Sequence, residues 1–130
     1  MKKKTHLQCP KCKADMAKVT FNDIEVDRCT QCEGIWFDAH EMQKLRTMDG
    51  SEIIDTGASA LGEHHNDMRD VRCPVCNQLM IRKTDVGQSH IQYEMCPKCK
   101  GTFFDAGEFR DLKDESIFDF LKNLWYGKSK

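Results

Sequence analysis

Apolar and polar side chains alternate along residues 17–28. Ala17, Val19 and Phe21 are separated by polar residues, Asn22–Asp23 supplies turn chemistry, and Ile24 and Val26 resume the alternation. Period two on both sides of an Asn-Asp turn predicts a β-hairpin. A second hairpin is predicted where Leu79 and Ile81 lead into a longer turn around Asp85–Val86–Gly87 and Ile91, Tyr93 and Met95 alternate on the return. After each hairpin come an aromatic pair and then Asp-Ala-x-Glu. Asp38 with Glu41, and Asp105 with Glu108, have the spacing of a capping box, so a helix is expected at about residues 39–48 and another after Asp105. Ile117, Phe118, Leu121, Leu124 and Trp125 then recur at helical period, an apolar stripe that predicts a C-terminal amphipathic helix. Residues 49–68 carry Gly50, Gly57 and Gly62 among small and acidic residues and read as a flexible linker.

Each predicted hairpin is bracketed by cysteines. The eight cysteines fall into four C-x-x-C pairs, Cys9 and Cys12, Cys29 and Cys32, Cys73 and Cys76, Cys96 and Cys99. Two residues between cysteines form a knuckle that turns both sulfurs to one point, and two knuckles about 15 to 20 residues apart complete a tetrahedral thiolate set. Here 16 residues separate Cys12 from Cys29 and 19 separate Cys76 from Cys96. Two four-cysteine metal sites follow, each built from adjacent pairs. Disulfides are disfavoured because the start, MKKKTHLQCPKC, lacks the apolar run of a secretory signal, which points to a reducing, cytoplasmic setting. Zn2+ is the expected occupant of each site, two ions in all, since it accepts four thiolates without geometric demand. The alternative is iron, as in a rubredoxin-like electron carrier.

The two halves are copies of one module. CTQCEGIWFDAHEM from Cys29 aligns with CPKCKGTFFDAGEF from Cys96, pairing Gly34 with Gly101, Trp36 with Phe103, Phe37 with Phe104 and Asp38 with Asp105. A unit of about 40 residues buries too little apolar surface to offset chain entropy, so metal is expected to supply the stability. Each repeat is expected to fold around its own ion, giving a small metal-stabilised α+β fold of two tandem zinc ribbons, each followed by a helix. The predicted organisation is residues 1–48 for the first ribbon and its helix, 49–68 for the linker, and 69–130 for the second ribbon and the C-terminal helix.

These residues resemble a known family, the TFIIB-type zinc ribbon or transcription factor zinc-finger proteins, small bacterial chains with the pattern C-P-x-C, hairpin, C-x-x-C-x-G-x-W-F/L-D-x-x-E-L. The resemblance covers roughly residues 9–46 and 73–112 and implies a zinc-ribbon fold with all eight cysteines as ligands. It implies no activity. Two departures are Phe103 at the usual tryptophan and Met42 and Phe109 at the usual leucine.

Composition narrows the function. The chain has 130 residues, 32% of them charged, and a formal net charge of −1. Four thiolates around a divalent ion carry about −2, so two loaded sites bring the total to roughly −5. Residues 1–32 hold seven Lys/Arg against four Asp/Glu, and residues 69–100 six against three, but the metal sites take most of that excess back. Nucleic acid, which needs a basic surface to displace counterions, is therefore a less favoured partner than protein or a second copy engaged through the C-terminal stripe. No membrane partner is expected. With every coordination position filled by protein, neither site has room for a substrate, and no nucleophile–base pair or phosphate loop stands out, so the expectation is a non-enzymatic interaction module. One aromatic of each pair is expected to cover the metal knuckle and the other to pack on the helix. His64–His65 with Asp67 is a weak further metal motif.

Overall fold

The computed structural model describes residues 7–58, 62, 70–85 and 91–113. The first repeat contributes β1 (Met16–Phe21), β2 (Ile24–Cys29), β3 (Ile35–Phe37), α1 (Glu41–Arg46) and a 3-10 turn at Ser51–Ile54. The second contributes β4 (Ile81–Thr84), β5 (Gln92–Met95), β6 (Thr102–Phe104) and a helix, α2, over 108–113. The first hairpin forms as its alternation predicts, with Phe21 paired to Ile24. Asn22 and Asp23 both lie at positive φ, 48° and 69°, the backbone a two-residue turn of matching twist requires.

The repeats do not build separate cores. All six strands form one antiparallel sheet in the order β1-β2-β3-β6-β5-β4. The seam is β3 against β6, with Ile35 opposite Phe104, Trp36 opposite Phe103 and Phe37 opposite Thr102. Strand periodicity then sends alternate side chains to opposite faces. Trp36 and Phe103 enter a core with Cys9, Cys29, Cys32, Cys73 and Cys96 on the metal side. Phe37 and Phe104 enter a second core with Leu45, Phe109 and Leu112 on the helix side. Within that second core, the Phe37 and Phe104 rings meet edge to face at 5.5 Å, and Tyr93 stacks on Phe104 at 4.8 Å. The division of labour within each aromatic pair is as the sequence suggests, but both cores span the two repeats. Independent folding of each repeat around its own ion does not fit this arrangement, because three-residue strands buried on both faces need the other repeat as their neighbour.

Two local expectations change. The helices start later than a capping box at Asp38 or Asp105 would place them. The Glu41 carboxylate does accept the Asp38 N–H at 3.0 Å, but the helix begins at Glu41, after His40 at φ 73°. Gly107, at φ 86°, takes the same place before α2. A left-handed residue here redirects the chain from strand to helix, which frees the aspartate side chains for other partners. The stretch from residue 49, read as linker, is in its first part a strap. Ile54 is 2% exposed in the helix-side core, and its carbonyl accepts Arg28 Nη1 at 2.9 Å. The buried Asp55 carboxylate accepts the N–H groups of Gly107 and Arg110, each at 2.9 Å, and so caps α2 from 52 residues away. Arg110 returns a bond to the Asp55 carbonyl at 2.8 Å. The C-terminal stripe, His64–His65 with Asp67, and the turn at Val86–Gly87 lie outside the described residues.

Candidate metal centres

All four C-x-x-C pairs fold into the same knuckle. The N–H of the first cysteine bonds to the carbonyl five residues on, Cys9 to Ala14, Cys29 to Gly34, Cys73 to Gln78 and Cys96 to Gly101, at 2.8–2.9 Å. The residue after the second cysteine turns back at positive φ, as Lys13, Glu33, Asn77 and Lys100 show. That turn aims amides at sulfur. Cys9 Sγ accepts from Lys11 and Cys12, Cys29 Sγ from Gln31 and Cys32, Cys73 Sγ from Val75 and Cys76, and Cys96 Sγ from Lys98 and Cys99, at 3.2–3.5 Å. The eight amide donors pull these four sulfurs toward thiolate, but at Cys29 and Cys73 burial is the larger effect and pushes the thiol up.

The sulfurs gather as the spacing predicts, Cys9, Cys12, Cys29 and Cys32 in one group and Cys73, Cys76, Cys96 and Cys99 in the other, with those of each group within 4.8 Å of one another. Individual separations are 3.6 Å for Cys9–Cys32, 3.3 Å for Cys12–Cys29 and 3.7 Å for Cys73–Cys99. A tetrahedron with metal–sulfur bonds of about 2.3 Å has edges of about 3.8 Å, so both groups fit a four-coordinate ion. The donor set is compatible with two metal ions. The first group is the more enclosed, with Cys32 buried where its counterpart Cys99 is half-buried. Crowded thiols share protons: a hydrogen bond from the Cys32 thiol pulls Cys9 down to about 5, while the same contact and burial push Cys32 well up. Burial also pushes up Cys99. Cys9 and Cys73 border one cleft of about 210 Å3, so the two centres are neighbours across a common opening.

A buried ion network that sequence reasoning missed links the two repeats. Lys11, inside the first knuckle, has a side chain with no exposure, and its Nζ lies 2.8 Å from Asp105 Oδ2 and 3.3 Å from Glu94 Oε1. Arg82 reaches Glu94 from the adjacent strand at 2.5 Å, as Lys18 reaches Asp27 at 2.8 Å in the first repeat. Burial raises the Glu94 pKa, with Lys11 pulling the other way. The signal was present as a pair of exchanges: Lys11 aligns with Val75, and Phe103 with Trp36. Trp36 Nε1 donates to Asp38 at 3.1 Å, whereas Phe103 has no donor and Asp105 takes the Lys11 ammonium. A second cross-repeat pair, Arg46 with the buried Asp85 at 3.0 Å, ties α1 to the second hairpin.

The family model described as a transcription factor zinc-finger matches residues 8–47 and 72–115, one match per repeat and more than half of the chain. No curated protein and no solved structure matches it. No helix among the described residues is long and apolar enough to cross a membrane.

Proposed function

The chain belongs to the transcription factor zinc-finger family, and on that premise we propose that it is a non-enzymatic interaction module whose two four-cysteine centres hold structural Zn2+ and whose partner is another protein. The observation that carries this is the closure of each centre by four cysteine sulfurs at tetrahedral spacing. Four protein thiolates supply the ion with a complete shell, so its contribution is to hold knuckles together rather than to polarise a substrate. The amides directed at sulfur lower the ligands' basicity and stabilise the charged site.

Protein is favoured over nucleic acid on two grounds. The loaded chain carries roughly −5. Among the described residues, three of the four exposed large apolar side chains lie on the second repeat, where Val75, Leu79 and Ile81 are 43–48% exposed, and the fourth, Ile53, lies on the strap at 68%. Their counterparts in the first repeat are Lys11, Asp15 and Ala17. The C-terminal stripe of Ile117, Phe118, Leu121, Leu124 and Trp125 supplies a second apolar surface in sequence. Titration of the zinc-loaded protein with fluorescent single- and double-stranded oligonucleotides at low salt tests the choice. No binding, or weak binding without a steep salt slope, is the expected result, and tight salt-sensitive binding would replace a protein partner by nucleic acid.

A further inference from the structure

We propose that the two four-cysteine centres load zinc cooperatively, the first ion raising the affinity of the other site, because each centre's knuckle is completed by side chains of the opposite repeat. This rests on both centres binding Zn2+. Gly34, two residues past Cys32, sits against the ring of Phe103 from the second repeat, where a Cβ would lie 2.3 Å from Cζ. Gly101, two residues past Cys99, sits against Trp36 from the first repeat, where a Cβ would lie 2.2 Å from Cζ2. The exchange is reciprocal: each knuckle glycine is the seat of the other repeat's aromatic. Trp36 and Phe103 are also paired directly across the seam.

Lys11 makes a third connection. It projects from between Cys9 and Cys12 and ends on Asp105 and Glu94, and Glu94 lies two residues before Cys96. Its ammonium also sits 5.8 Å from the Phe103 ring centroid. A first ion that orders one knuckle therefore orders the seat of the other repeat's aromatic and the anchor of the strand leading into the second centre. The ordering cost shared by the two repeats falls on the first ion, and the next meets a site already shaped, which is positive coupling. Repulsion between two centres of about −2 each works against this. Lys11, Lys13 and Arg72, placed beside the centres, offset part of it.

The test is native mass spectrometry of the full reduced chain, freed of metal and titrated with Zn2+ alone. Equal uncoupled sites leave about half of the molecules with one zinc at half-saturation, and about tenfold coupling lowers that to about a quarter. The expected result is a one-zinc fraction at or below about a quarter. Two site-deletion variants, Cys9→Ser/Cys12→Ser and Cys73→Ser/Cys76→Ser, measure the same quantity directly against a competing chelator. Each should bind its remaining zinc at least about threefold more weakly than the mean wild-type site, the square root of that coupling. Remaining sites that keep the mean wild-type affinity within about twofold would overturn the coupling. Absence of any two-zinc species in the wild-type chain would instead remove the zinc assignment on which the coupling rests.

Discussion

Replacing Lys11 by methionine keeps the stem and the backbone amide that serves Cys9 but deletes the ammonium that Asp105 and Glu94 face. Removing one partner of a buried ion pair costs about 3–5 kcal/mol. The lower end, about 3 kcal/mol, applies here because Glu94 keeps Arg82. The equivalent place around Asp38 shows how the loss can be repaired. There the residue aligned with Lys11 is Val75, and the aspartate two residues after the aromatic takes its hydrogen bond from the Trp36 indole at 3.1 Å. Phe103→Trp should therefore give Asp105 an N–H, worth about 1.5–3 kcal/mol to a charged acceptor. A precedent for the fit exists, since Gly101 already seats an indole in the way Gly34 seats Phe103. In the wild-type background the ammonium already serves Asp105, so Phe103→Trp alone gains no partner there and bears only the cost of a larger ring in a fully buried site, about 1–3 kcal/mol, which recurs in the double variant and cancels in the cycle. Urea unfolding at fixed excess zinc, run on wild type, both single variants and the double variant, closes the cycle. A coupling of about 1.5 kcal/mol or more in favour of the double variant is expected. Coupling within about 0.5 kcal/mol of zero would refute the idea that the indole and the ammonium are alternative donors to the same position.

Gly34→Ala and Gly101→Ala each place a methyl 2.2–2.3 Å from an aromatic carbon of the other repeat. Each should cost at least about 1–3 kcal/mol in thermal unfolding of the zinc form, and a variant as stable as wild type would show that the seam yields freely. Asp55→Ala strips the cap from Gly107 and Arg110 and should cost about 1–2 kcal/mol, with faster amide exchange confined first to residues 107–110. Unchanged exchange there would mean the strap is not what holds the start of α2. Free cysteine thiols titrate at about 8.5 and are mostly protonated at neutral pH, and where the fold is kept without metal, crowding and burial push Cys32 and Cys99 further up, so the metal-free state binds more protons than the loaded one. Zinc affinity should accordingly rise with pH, and acidification from about pH 8 to 5 should release the metal to a chromogenic chelator while binding at neutral pH releases protons. Pure charge neutralisation without proton release would contradict the assigned thiol states.

The two four-cysteine groups and the first hairpin were legible because their parts are local. A C-x-x-C knuckle is made by its own few residues, and Asn22–Asp23 adopts the positive φ that a two-residue hairpin turn demands. The joining of the repeats was not legible. Ile35–Phe37 and Thr102–Phe104 are three-residue runs, too short for a period, and Trp36 and Phe103, paired at their centre, lie 67 residues apart. The start of the first helix was misplaced because His40 occupies a left-handed position that Gly107 announces in the second repeat. Asp55 carried no signal at all, since a cap supplied from 52 residues away has no spacing to recognise. Lys11 could have been noticed as a lysine where the other repeat has valine, although only the buried Asp105 and Glu94 explain why it is there.

Zinc in two closed four-cysteine centres is what would make the shared fold possible, and it is open to direct measurement. Elemental analysis by mass spectrometry of protein purified without added metal, together with its visible absorption spectrum, tests it. Two zinc ions per chain and no visible colour are the expected result. Stoichiometric iron with a sulfur-to-iron charge-transfer band would contradict it and make the chain an electron carrier.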